Sequence, residues 1–355
     1  MYCALILMLA WAGSTQAGDI APVHMANGIK IGEVSSTSAI IWTRLTEHAE
    51  RNIQGKPFRK NVNKARKSAH YDDLSAMEGS VSGGSGEVRL TYWPASQKSQ
   101  KKSTDWQVVD ANSDFIRQFS ITNLLSGSRY TLVAEGRPQG STAVSCKVDG
   151  AFSTAPSADT TARVRFAVVT GQDYPRRDTP NGHKIYQVML EQNLDFFVHT
   201  GDIEYYDRPA PYADTVELAR FKWNRIYALP FLRDFHNVTA SYFTKDDHDT
   251  LRNDCWPGQT YGDLTWEQGL SLFREQVPMG DKTYRTVRWG KDLQIWLVEG
   301  RDFRSPNNMP DGPQKTIWGT GQKRWFFDTV KKSDATFRIL ISPTPTRPSH
   351  QNIDE

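Results

Sequence analysis

The stretch "LDFFVHTGDIEYYD", Leu194 to Asp207, carries most of the fold in its order of residues. Its first half is a short apolar run closed by glycine, which reads as a buried strand. Gly201 then permits a backbone turn that a side chain would resist, and Asp202, Glu204 and Tyr205 follow directly. The same grammar recurs at Gly171-Gln172-Asp173-Tyr174, at Asp246-Asp247-His248-Asp249 and at Arg301-Asp302-Phe303-Arg304. In open α/β sheets the strand ends form the crevice in which ligands bind. Four polar clusters at strand ends therefore predict one shared site.

Outward from this stretch, "RVRFAVVTG" and "VTASYFTKDDHD" read as strands, and "GHKIYQVMLEQN" and "TVELARFKWNRIYAL" as helices. "TYRTVRWGKDLQIWLVEGRDF" is a hairpin turning near Gly290, "TGQKRWFFDTVKK" a helix capped by Thr320, and "TFRILISPTP" a last strand. Strands alternating with helices predict an α/β domain over 163–355.

Ahead of a linker, "TAPSADTTA" (Thr154 to Ala162), the pattern is β only. "SAIIWTRL", "GEVRLTYWP" and "SRYTLVAEG" are short runs of β-branched and aromatic residues bounded by Gly, Ser and Pro. Leu124 followed by a Gly turn and Tyr130 has the form of a tyrosine corner in fibronectin- or immunoglobulin-like domains. A β-sandwich over 18–158 is expected, with a basic insertion at 51–87. That insertion reads as a solvated loop, the alternative being a polyanion-binding loop.

A formal charge of +3 from 43 basic and 40 acidic residues gives no general case for nucleic acid or membrane as a specific partner. "ALILMLAWAG" (Ala4 to Gly13), too short to span a bilayer, precedes Thr15 and Ala17. It predicts a signal peptide over 1–17 and a secreted or periplasmic protein, the alternative being a buried helix. The mature chain then keeps Cys146 and Cys255, which fall in different expected domains. No segment is long and apolar enough to be transmembrane.

Crowded carboxylates raise one another's pKa, and a cation converts that repulsion into coordination. Oxygen donors with an occasional histidine suit Ca, Mn, Zn or ferric iron. Asp202 is expected to sit between ions, with Asp247 and Asp302 as further ligands and His248 donating a proton to a leaving oxygen. Tyr205 is a phenolate ligand or a core aromatic. Arg301 and Arg304 hold phosphate oxygens or are surface charges. Asp246, Asp249 and Asp254 are expected behind the ligands or in solvent, and His199 in the core.

"GDIEYYD", "DDHDTLRND", "GRDFRSPN", "GTGQKRWF" and "LISPTP", in this order, resemble the alkaline phosphatase D branch of the calcineurin-type metallophosphoesterases. "GEVSSTSAIIWTRL" is similar to that family's fibronectin-like leading domain. The resemblance implies an αββα core and extracytoplasmic hydrolysis of phosphate monoesters or diesters. It also implies iron held partly by tyrosine beside calcium, with manganese or zinc as other candidates. By motif position Asp202 would bridge the metals and Tyr205 would bind iron. Asp247 would take the superfamily's asparagine position, His248 would be the acid, and Asp302 a further ligand. Gly171 stands where the family often has a cysteine ligand, and Asp173 is the substitute on offer. After Pro345 the family's late "GDRH"-type motif is missing, so the expected domain lacks its last strands. The alternative function is an impaired remnant that binds metal or phosphate without turnover.

Overall fold

The structure is a computed structural model that describes residues 21–58 and 73–345. The expected signal peptide, Cys3, part of the basic insertion and the tail with His350 lie outside the described residues.

The strands are β1 (Ile29–Gly32), β2 (Ala39–Arg44), β3 (Gly86–Pro94), β4 (Lys102–Ser103), β5 (Gln107–Val109), β6 (Ile116–Ile121), β7 (Arg129–Pro138) and β8 (Cys146–Ser153). There follow β9 (Phe166–Val169), α1 (Ile185–Glu191), β10 (Phe196–His199), α2 (Val216–Tyr227), α3 (Pro230–His236) and β11 (Ala240–Phe243). The short pair β12 (Thr260–Tyr261) and β13 (Leu264–Thr265) leads into α4 (Trp266–Gln276). The described chain closes with β14 (Arg285–Trp289), β15 (Leu293–Leu297), α5 (Gly319–Lys332) and β16 (Phe337–Ile341).

One six-stranded sheet, β6-β2-β1-β11-β10-β9, forms the central wall. Its β9, β10, β11 and β1 run parallel, and β2 and β6 antiparallel to their neighbours. The parallel pairing of β1 with β11 carries the sheet across the expected boundary at 154–162, so strands from both ends of the sequence share one ladder. Among the described residues three further sheets accompany it: β4-β3-β7-β8 with β5 beside β3, β14-β15-β16, and the short β12-β13 pair.

Alternation along the strands decides what each face meets, because successive side chains point to opposite sides. Phe196, Val198 and Tyr242 join Ile31, Leu132, Trp289 and Ile295 in one core between the wall and the other sheets. Phe197 and Phe243 face the opposite way, into a second core built by Tyr186, Trp223, Phe235 and Phe273 on the helices. Beyond β15, Trp296 donates its indole N–H to Thr329 Oγ1 on α5 at 2.9 Å. Helices, wall, second sheet and α5 thus stack as the αββα order.

Tyr130 is buried and its hydroxyl accepts the Leu125 N–H at 2.8 Å, the bond that defines a tyrosine corner. The expected Thr320 cap is corrected. Trp318 occupies the cap position, Thr320 lies in the first turn, and Gly319 N–H donates to Thr316 Oγ1 instead. Cys146 and Cys255 are both free thiols. Among the described residues no helix is long and apolar enough to cross a membrane.

Candidate metal centre

Three loops meet where β9, β10 and β11 end. Gly171 N–H donates to Gly201 O and Gln172 N–H to Asp202 O, which couples the first loop to the second. The second and third loops are joined by Asp249. Its Oδ1 accepts the N–H groups of Ile203 (2.7 Å) and Glu204 (2.9 Å), and its Oδ2 those of Asp202 (2.6 Å) and Asp246 (3.1 Å). A carboxylate has about four lone-pair sites, and all are filled. Burial and the Asp202 charge push the Asp249 carboxyl upward, and the backbone donors work against them.

This clamp holds Asp202 in a left-handed conformation, φ 56°, directly after Gly201 at φ 101°. A Cβ at Gly201 would meet Asp246 N at 2.5 Å, so only glycine lets the two acidic loops approach so closely. The result is a cluster in which ligand-capable atoms of Asp202, Asp247 and His248 all lie within 4.8 Å of one another.

Asp202 Oδ2 accepts from the Tyr205 hydroxyl at 3.1 Å, while its buried Oδ1 has no hydrogen-bond partner. Burial, with Asp247 beside it, raises the Asp202 pKa. Burial and Asp202 likewise raise that of Tyr205. Asp246 is pushed up to about 7 by burial and the neighbouring carboxylates. A buried carboxylate oxygen with no partner, set among acids whose pKa is raised, can accept a cation, and the donor set of carboxylates, phenol and imidazole fits a hard one.

The His248 ring lies against the Tyr205 ring at 4.4 Å between centroids, tilted by 42°. Its Nδ1 lies 2.6 Å from Asp207 Oδ1, and Asp207 also accepts the Asn253 N–H. Burial pulls the imidazole down, but the Asp207 carboxylate, with Asp247 and Asp202 behind it, leaves its pKa raised. The sequence reading overlooks Asp207. Its place in "GDIEYYD" was the available signal, but the partner lies 41 residues away.

The remaining predicted residues are distributed otherwise. Asp302 is held by Lys245 (2.5 Å) and the Thr283 hydroxyl (2.6 Å). Asp173 pairs with Arg208 at 3.0 Å, and that guanidinium lies 3.7 Å over the Tyr205 ring. Arg301 is buried at 4% exposure and spans Asp246 (2.6 Å) and Asp247 (3.3 Å), so its donors already serve the acidic loop. Arg304 bonds Asn307 through Nε, and its Nη1 has no partner.

Carboxylates, phenol and imidazole at the strand ends of an αββα core define the class as a metallophosphoesterase fold. The PhoD-like phosphatase family profile matches residues 166–355. The chain belongs to the PhoD-like phosphatase family, a family of metal-dependent enzymes. A solved structure of PhoD is similar over 91% of this chain and 62% of that one, at 16% identity and a TM-score of 0.68. A purple acid phosphatase from yellow lupin (Lupinus luteus) seeds is similar over 88% of this chain and 50% of that one, at 12% identity and a TM-score of 0.56. The chain therefore spans less than two thirds of the length of either solved relative. No curated protein matches it.

Proposed function

We propose that this protein is an exported, metal-dependent phosphoesterase hydrolysing phosphate mono- or diesters. The observation that carries the reading is the unpartnered, buried Asp202 Oδ1 beside Asp247, His248 and Tyr205. Asp202, Asp247 and Tyr205 would hold the cations, iron and calcium by family likeness, with manganese or zinc as alternatives. When bound, such ions polarise phosphoryl oxygens and acidify water.

The chain's own groups supply the rest. Asp207 fixes the ring of His248 through Nδ1 and favours the imidazolium, which leaves Nε2–H to protonate the departing oxygen. Arg301 screens Asp246 and Asp247 from each other and keeps that loop compact. Arg304 is the guanidinium with donor capacity left over for a phosphate oxygen. Asp302 and Asp173 become ligands only by exchanging Lys245 and Arg208 for a metal. The apolar N-terminal stretch supports export.

A second reading, metal or phosphate binding without turnover, is favoured by the same ion pairs. Among the described residues only one cluster of three such groups converges. Hydrolysis of p-nitrophenyl phosphate and its bis-ester, with iron, calcium, manganese or zinc added, separates the two. Turnover lost in Asp202→Ala supports the first. Metal binding without turnover under any ion supports the second.

A further inference from the structure

Lys245 lies just past the end of β11 and is 1% exposed, a position lysine rarely takes unless it is paired. Its Nζ lies 2.7 Å from Glu299 Oε1 and 2.5 Å from Asp302 Oδ1, both on the segment that follows β15. The ammonium therefore sits between the tip of a wall strand and the tip of a strand in the second sheet.

Its partners are engaged elsewhere too. Asp302 Oδ2 accepts from the Thr283 hydroxyl at 2.6 Å, and Glu299 Oε1 also accepts the Arg301 N–H at 2.8 Å. A metal that recruited Asp302 would have to displace Lys245 and leave a buried ammonium short of a carboxylate. Breaking a buried ion pair costs enough to weaken such binding by roughly 10²-fold or more.

Neighbouring acids are held in the same way. Arg301 Nε lies 2.6 Å from Asp246 and its Nη2 3.3 Å from Asp247, while Arg208 Nη1 lies 3.0 Å from Asp173. Asp202 is different, because its buried Oδ1 has no hydrogen-bond partner. The space there suits one ion. Oxygen ligands stand about 2.3–2.6 Å from calcium, so atoms sharing an ion lie at most about 5 Å apart. Ligand-capable atoms of Asp202, Asp247 and His248 meet that limit, all within 4.8 Å of one another. Asp302 belongs to no such group among the described residues.

We propose that the Lys245 ammonium is a built-in cation standing in place of a second metal ion. The chain then holds a single ion at Asp202 and Asp247, and Asp302 is an ion-pair partner instead of a ligand. This rests on the metal-binding reading above, narrows it from two ions to one, and is independent of turnover. The charge on Asp302 and Glu299 is thereby balanced by a group that no chelator removes.

The test is equilibrium dialysis of the full chain against manganese alone, with metal counted per chain and frozen-solution EPR of the loaded protein. Wild type should bind a single ion, with the signal of isolated manganese and not of a spin-coupled pair. Asp302→Asn should bind the same number, with affinity within about twofold of wild type. Lys245→Gln releases both carboxylates from the ammonium while keeping an amide donor, and should bind a second ion. Two ions on wild type, or an ion lost in Asp302→Asn, overturns the proposal alone. A folded Lys245→Gln chain that still binds one ion overturns it as well. If that variant does not fold, the wild-type count and Asp302→Asn decide. A folded wild-type chain that binds no manganese overturns the metal-binding reading and this proposal with it.

Discussion

Replacing Asp249 by asparagine changes one atom and tests the architecture of the whole site. The carboxylate now accepts four backbone N–H groups, two on each oxygen. An amide keeps one oxygen and turns an NH2 toward the two N–H groups that the other oxygen served. Hydrogen bonds to a charged group contribute about 1.5–3 kcal/mol each, and unpaired buried donors cost about as much. Relief of a buried charge offsets part of this, so a net loss of about 3–5 kcal/mol is expected. That is a large share of the roughly 5–15 kcal/mol typical of a folded domain. Asp202 would also lose the bond that holds its left-handed turn, so metal binding should weaken in parallel. The assay is urea unfolding of wild type and Asp249→Asn with and without calcium or manganese, with Asp254→Asn as a control on a side chain 57% exposed. The control should stay within about 0.5 kcal/mol of wild type. The clamp argument fails if Asp249→Asn unfolds within about 1 kcal/mol of wild type and gains as much stability from added metal.

Three further outcomes follow from the same geometry. Asp207→Asn removes the carboxylate that holds the His248 pKa up, so the alkaline limb of the pH–rate profile should move to lower pH. With the acid misoriented, kcat should fall by about 10²-fold or more; an unshifted limb would rule out the pairing as functional. Gly201→Ala places a methyl against Asp246 N at a backbone angle alanine resists, and should cost about 2–4 kcal/mol by thermal unfolding together with loss of metal binding. Asp114 is buried, yet Arg44, Asn224 and Gln276 lower its pKa against the cost of desolvation. Its folded pKa lies below its unfolded one, so the stability it contributes is present above about pH 4 and is lost as pH falls through the folded value. Asp114→Asn should cost about 3 kcal/mol at neutral pH and less in acid, and a penalty independent of pH would contradict the ion pair.

The strands and most helices were legible because periodicity is local. Phe196–His199 and Ala240–Phe243 are apolar runs ending in glycine or polar residues, and Val216–Tyr227 begins at its Thr215 cap. α4 carried a readable signal, the Thr265–Gln268 capping box, that the pattern reading passed over. α3, seven residues opening on proline, offers too little period to read.

The site divides in the same way. Sequence alone could gather Asp202, Asp247 and His248 at strand tips, because a strand that ends in glycine and acid must release its polar residues at the sheet edge. It could not tell which carboxylate faces a cation and which faces backbone, since that depends on loops dozens of residues apart meeting in one place. Asp249, expected behind the ligands or in solvent, is the clamp between loops. Asp207 reaches His248, and Arg301 is taken up by Asp246 and Asp247. The pairing of β1 with β11, 208 residues away by way of the Ile29–Asn237 bond at its start, is likewise invisible to local pattern. Residue chemistry fixes what a side chain offers, and only the folded neighbourhood decides which of those offers is already taken.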